Sequence, residues 1–160
     1  SQTWFWLPAA IVFLLLGWRA WGWKRLLCVV TSVVVCLLIS DQLCNVIKHG
    51  VCRLRPSHEP TLEGMIMTVR GYTGGQYGFC SAHACNTSAV ALFTSLVVKR
   101  RWLTWVMMVW VLLNCWSRIY LGVHYLGDIL GGMVLGIVIA IVVYSVYKVL
   151  TDRYEKVLEK

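Results

Sequence analysis

Three short stretches hold most of the residues in this chain that could do chemistry. "KHGVCRLRP" carries Lys48, Arg53 and Arg55 just ahead of Pro56, "CSAHACNT" carries Ser81 and His83, and "SRIYLGVHYLGD" carries Arg118, His124 and Asp128. The cations of the first suit an anion such as phosphate; snorkelling of Lys48 and ordinary loop basicity is the plainer reading. The second, at the start of a helix, presents a hydroxyl, an imidazole and free backbone N–H groups where the helix dipole attracts an anion. The same serine also serves as a simple N-cap beside an interfacial histidine. In the third, His124 and Asp128 are four residues apart. If they open a helix they share a face, and the carboxylate holds one imidazole nitrogen protonated while the other is left as a nucleophile. A structural contact between helices is the alternative. Arg118 offers a fork of donors to phosphate oxygens.

The elements that must position these residues are membrane helices. Of 160 residues, 59% are hydrophobic and 14% charged, too little polar surface to cover a soluble globule. Five mostly apolar runs recur: Trp4 to Trp18, Leu26 to Ile47, Ala82 to Val98, Trp102 to Trp116 and Ile129 to Tyr147. Helices satisfy their own backbone in lipid, and alternation of strand type is absent, so the expected fold class is all-α, a polytopic transmembrane helical bundle. No basic segment precedes the first run, so no secretory signal is recognisable at Ser1. A start at Ser1 in place of Met leads to the expectation that an N-terminal piece is missing.

A formal charge of +8 invites a nucleic-acid reading, but its placement argues against one. Arg19, Lys24 and Arg25 follow the first run, Lys99, Arg100 and Arg101 the third, and Lys148, Arg153, Lys156 and Lys160 the last. Alternating spans put all three groups on one side, cytoplasmic by the positive-inside rule. The connections 49–81 and 117–128 then meet at the extracytoplasmic face, where Lys48, Arg53, Arg55 and Arg70 are exceptions that need a reason. Trp4, Trp18, Trp102 and Trp116 sit near run ends, as interfacial anchors do.

In order, spacing and sidedness the three stretches read K-x6-R-P, S-x-H and S-R-x5-H-x3-D. They resemble the signature motifs of the type 2 phosphatidic acid phosphatase (PAP2) superfamily, over roughly Leu26 to Val143. The second motif is usually P-S-G-H; here Cys80 replaces the proline and Ala82 the glycine, which bears on substrate range. The resemblance implies a six-helix fold, of which the five runs would be helices two to six, in one integral membrane domain, 1–160, lacking its first helix. It implies that His124 attacks phosphorus to form a phosphohistidine, oriented by Asp128, and that His83 protonates the departing oxygen and then activates water. Lys48, Arg55, Ser81 and Arg118 would bind the phosphate oxygens. No metal or other cofactor is expected; Asp41, Glu59, Glu63 and Asp128, the carboxylates outside the tail, form no evident cage for a hard cation.

The expected substrate is a phosphate or diphosphate on a membrane lipid: phosphatidylglycerol phosphate, phosphatidic acid, undecaprenyl diphosphate or lipid A. The bilayer is the expected partner and nucleic acid is not. The expected location is a bacterial inner membrane with the site on the periplasmic face. A small transporter or scaffold using the same charges is the alternative. Vanadium haloperoxidases share the motif logic but are soluble.

The remaining features carry less. Seven cysteines are present; those in spans act as small apolar filler, while Cys52 and Cys80, on the outer face, could be oxidised to a disulfide. Gly132 and Gly136 form a small-x3-small pattern suited to helix packing more than to dimerisation. "RGYTGGQYGF" lacks the context of a nucleotide-binding loop and reads as a connector, a lid or a lipid-headgroup contact. His49 and His58 receive no role.

Overall fold

The computed structural model describes residues 7–66 and 71–158. Trp4, Arg70 and Lys160 lie outside the described residues. Helix α1 spans Leu7–Val51, α2 Ala82–Val98, α3 Arg101–Tyr120 and α4 Leu126–Leu158, and no strand forms among the described residues. The bundle is all-α, as expected.

The described part of the first apolar run and the whole of the second fall in α1, which is broken at Gly22 (φ 73°, ψ 164°). That backbone region is open essentially to glycine alone, so the helix axis changes there without a loop. The segments Leu14–Val51, Arg101–Tyr120 and Leu126–Tyr154 are long and apolar enough to cross a membrane. Helix α2, with 17 residues, rises about 25 Å at 1.5 Å per residue, slightly less than a hydrocarbon core of about 30 Å. The chain is an integral membrane protein.

Helix α2 is central and packs on α1, α3 and α4, most extensively on α4. Its contacts are built of small side chains: Cys85 and Ala89 of α2, Cys36 and Cys44 of α1 and Ala140 of α4 are fully buried in one cluster with Phe93. Leu, Ile, Val and Trp face outward, among them Trp102, Trp105, Trp116, Leu130 and Leu150. With lipid outside there is no hydrophobic drive between helices, and close backbone approach supplies the packing energy instead. Gly132 and Gly136 of α4 lie directly on the α2 backbone, at Ser81 O and Cys85 O, where a Cβ would overlap. The small-residue pattern therefore serves packing inside the bundle.

The basic clusters share one end. Lys24 donates to Tyr154 (2.8 Å) and Arg25 to Tyr147 (3.4 Å), joining the α1 break to the end of α4. Helix α2 ends on Lys99 in the left-handed region (φ 54°), so Lys99 and Arg100 form a tight turn into α3. At the other end α1 and α3 finish and α2 and α4 begin, and the three motifs come together there.

Candidate active site

The first motif is shaped by how α1 stops. Cys52 takes the left-handed conformation (φ 51°) and donates its N–H to Lys48 O at 2.9 Å, which leaves Lys48 half-buried in the last helical turn. Pro56 restricts the preceding residue to extended backbone, and Arg55 is extended (φ −73°, ψ 156°). The extended piece pairs with the glycine-rich loop: Arg55 N–H donates to Gln76 O (3.1 Å) and Gly78 N–H to Arg53 O (2.9 Å), on either side of an antiparallel bridge between Leu54 and Tyr77. Arg55 Nε adds a bond to Tyr77 O at 3.0 Å. That part of the loop is a brace that fixes the Arg55 stem.

In the second motif Ser81 is the N-cap of α2, accepting the Ala84 N–H at 3.4 Å. It is fully buried, while His83 in the first turn is exposed. Capping leaves the hydroxyl proton unused, because the oxygen only accepts in that bond. Ser81 N–H donates to Asp128 O at 2.9 Å, which ties the second motif to the third. Cys80 does not approach Cys52: its Sγ lies 3.3 Å from Cys44 Sγ, and Cys52 turns to His49 O. All cysteines are free. The Cys52–Cys80 disulfide that the sequence left open does not form: the left-handed turn at Cys52 directs that side chain back along α1, onto His49 O.

The third motif differs from the expectation in one respect. His124 and Asp128 do not share a helical face, because α3 runs on to Tyr120 and α4 starts only at Leu126. Gly122 (φ 67°) ends α3 in a Schellman motif, with Gly122 N–H on Ile119 O (2.9 Å) and Val123 N–H on Arg118 O (3.3 Å), a reversal that suits glycine. His124 therefore lies in the linker, buried at 4% exposure. Asp128, in the first turn of α4, reaches back: its Oδ2 accepts Tyr125 N–H at 3.0 Å, as an acid does in a capping box. The same oxygen lies 3.5 Å from His124 Nδ1, close enough to pair but longer than a formed hydrogen bond, a distance that can shorten when a substrate binds.

Arg53 completes this corner. Its guanidinium lies 3.2 Å from Asp128 Oδ1 and 4.3 Å from the Tyr125 ring centroid. No role was expected for it, yet the signal was in the sequence: residues i and i+2 of an extended piece share a face, so Pro56, by extending Arg55, aligns Arg53 with it.

The groups converge. Arg118, His124, Lys48 and Arg55 all act electrostatically on His83, and Arg55 feels both Asp128 and Arg118. Arg118 is steadied by its neighbour, Nε lying 3.3 Å from Ser117 Oγ, which itself donates to Asn114 O at 2.7 Å. Burial pushes the His124 imidazole below its usual pKa, opposed by Asp128 and reinforced by Arg55 and Lys48. A neutral imidazole with one nitrogen turned to a carboxylate has a free lone pair on the other. Every expected site residue is thus at one end of the bundle.

A model of the PAP2 superfamily matches residues 25–152. The chain belongs to the PAP2 superfamily. Among PAP2 relatives, a lipid A 4'-phosphatase of Porphyromonas gingivalis is 38% identical over 155 residues, covering 96% of this chain and 66% of that protein. A lipid A 4'-phosphatase of Bacteroides thetaiotaomicron is 36% identical over 135 residues, covering 82% and 59%. The chain thus spans about two thirds or less of these relatives' lengths. A transmembrane PAP2-type phosphatidylglycerolphosphate phosphatase from Bacillus subtilis has a similar fold, with a TM-score of 0.66 over 91% of this chain and 70% of that one, at 21% identity.

The brace makes a test of the site's geometry. A Cβ on Gly78 would stand 2.9 Å from Asp128 Oδ2 and 3.3 Å from Arg55 Cγ, so both must move. Gly78→Ala is expected to lower kcat/KM by about 10²-fold, the cost of a displacement of about 1 Å at a reacting centre. Gly75→Ala, at a position with open space, is expected to stay close to wild type in the same assay.

Proposed function

We propose that this PAP2 chain hydrolyses the phosphate of a membrane lipid through a phosphohistidine, without a metal. The observation that carries the reading is the buried His124, one ring nitrogen turned to Asp128, at the same end of the bundle as Lys48, Arg55 and Arg118. In this scheme the His124 Nδ1 proton is held toward Asp128 and Nε2 attacks phosphorus. Arg55, Arg118, Lys48 and the Ser81 hydroxyl, with the free N–H groups at the start of α2, bind the non-bridging oxygens and the charge that grows on them in the transition state. The exposed His83 gives a proton to the leaving lipid oxygen. It then takes one from water, whose oxygen attacks phosphorus and releases phosphate and His124. Asp128 stabilises the positive charge on the imidazole while it carries phosphorus.

The two relatives named for lipid A make a phosphorylated lipid A the first substrate to test, with phosphatidylglycerol phosphate, phosphatidic acid and undecaprenyl diphosphate as comparators. Phosphate release from this panel by purified protein is expected to persist in EDTA and to be inhibited by vanadate. Loss of activity on chelation, restored by Mg²⁺, contradicts the scheme.

The basic clusters at the α1 break, the α2–α3 turn and the end of α4 support a periplasmic or extracytoplasmic site. On intact cells, an impermeant thiol label is expected to reach a cysteine introduced at Thr73 and to miss one at Lys99, each in a background without other reactive thiols. The opposite pattern places the site in the cytoplasm.

A further inference from the structure

One carboxylate in the apolar helices beside the site is left over. Asp41 lies in the apolar second half of α1, is exposed, and has no cation paired with it among the described residues. An acid at membrane depth is costly and is retained mainly where it has something polar to meet. Its partner is an amide: Asn86 Nδ2 donates to Asp41 Oδ1 at 2.8 Å. Asn86 Oδ1 is buried without a hydrogen-bond partner, so the pair is short of donors and long on acceptors.

Its position is tied to the site. Asp41 is seven residues before Lys48, which on an α-helix returns to nearly the same face, and Asn86 is three residues after His83, also on one face. Asn86 therefore lies about 4.5 Å deeper than His83 along α2, from the rise of 1.5 Å per residue. When the leaving group is a lipid, it must run from the phosphate toward the hydrocarbon, past His83 and then past this pair. Glycerophospholipids present ester carbonyls at that depth, which are acceptors only. An amide N–H or a hydroxyl is a donor.

Resting on the phosphatase reading above, we propose that Asp41 and Asn86 form a specificity subsite that selects phospholipids with an amide N–H or hydroxyl donor just below the phosphate, as in N-acylated amino-sugar lipids. Asp41 accepts from that donor, and Asn86 holds the carboxylate in place. A substrate lacking the donor leaves the acid facing lipid with the Asn86 amide as its one side-chain donor among the described residues, and a site built to bond a substrate N–H or O–H discriminates strongly against analogues without one.

The test compares kcat and KM for three phosphomonoesters in mixed micelles: an N-acylated glucosamine phosphate lipid, a sphingoid phosphate and a diacylglycerol phosphate. Water-soluble p-nitrophenyl phosphate reports the chemistry alone. Wild type is expected to prefer the amino-sugar lipid over the diacylglycerol phosphate. Asp41→Asn and Asn86→Leu are expected to shrink that preference by about 10- to 100-fold, chiefly through KM of the amino-sugar lipid. An equal preference for the sphingoid phosphate shows that the donor alone is read; a lower one shows that the sugar contributes to selection, and both support the subsite. Equal losses on all substrates would mark the pair as a strut between α1 and α2 and overturn the proposal. So would a wild type that cleaves p-nitrophenyl phosphate without lipid preference, and there the phosphatase reading survives. A wild type inactive on every ester overturns both.

Discussion

Asp128→Asn is expected to lower kcat by about 10⁴-fold, the loss seen when a triad-type histidine is deprived of its orienting carboxylate, with little change in KM. The basis is local. Asp128 is fully buried, takes the Tyr125 N–H, and is the group that faces His124 Nδ1. Asparagine keeps the size and an oxygen for Tyr125 N–H. It removes the charge that holds the reactive tautomer and that stabilises the imidazole once phosphorus is attached. A pH profile separates this role from plain packing. His124 must be neutral to attack, and its pKa lies below the usual value because burial outweighs the upward pull of Asp128. Activity is therefore lost as pH falls through that lowered pKa. Taking away the pull lowers it further, so in Asp128→Asn the acid limb of kcat/KM is expected to move to lower pH. A limb that stays in place, or moves up, shows that Asp128 does not act on the His124 charge.

Much of this site could be read from hydropathy and spacing. Apolar runs long enough to span lipid set the helix type, and the alternation of basic groups set which ends lie together, because both follow from the bilayer as solvent. Backbone reversals were harder to read. The φ of Gly22 joins two runs in one bent helix, and Gly122 ends α3 so late that His124 falls in a linker. Composition shows that glycine is present at such points but not which left-handed turn it makes. Pairings distant in sequence were hidden for the same reason. Arg53 meets Asp128 across 75 residues, Leu54 meets Tyr77, and Cys80 meets Cys44. Each depends on how loops close, which local pattern does not specify. The loop that read as a connector became a brace because Gly78 admits both Arg55 and Asp128 where any side chain would displace them.

The two histidines are expected to fail differently. His124→Ala is expected to abolish turnover on every substrate, because the group that bonds to phosphorus is gone. His83→Ala is expected to lose about 10²- to 10⁴-fold on lipid substrates, the range for a general acid–base group, and much less in the first step on an aryl phosphate, whose leaving group needs little protonation. Water attack on the intermediate is still slowed, so the phosphoenzyme is expected to accumulate in His83→Ala. Rapid-quench trapping with a radiolabelled aryl phosphate reads this directly. The expected result is an acid-labile, base-stable label on wild type, stronger in His83→Ala and absent in His124→Ala. A label of that kind that persists in His124→Ala would contradict the assignment of His124 as the nucleophile.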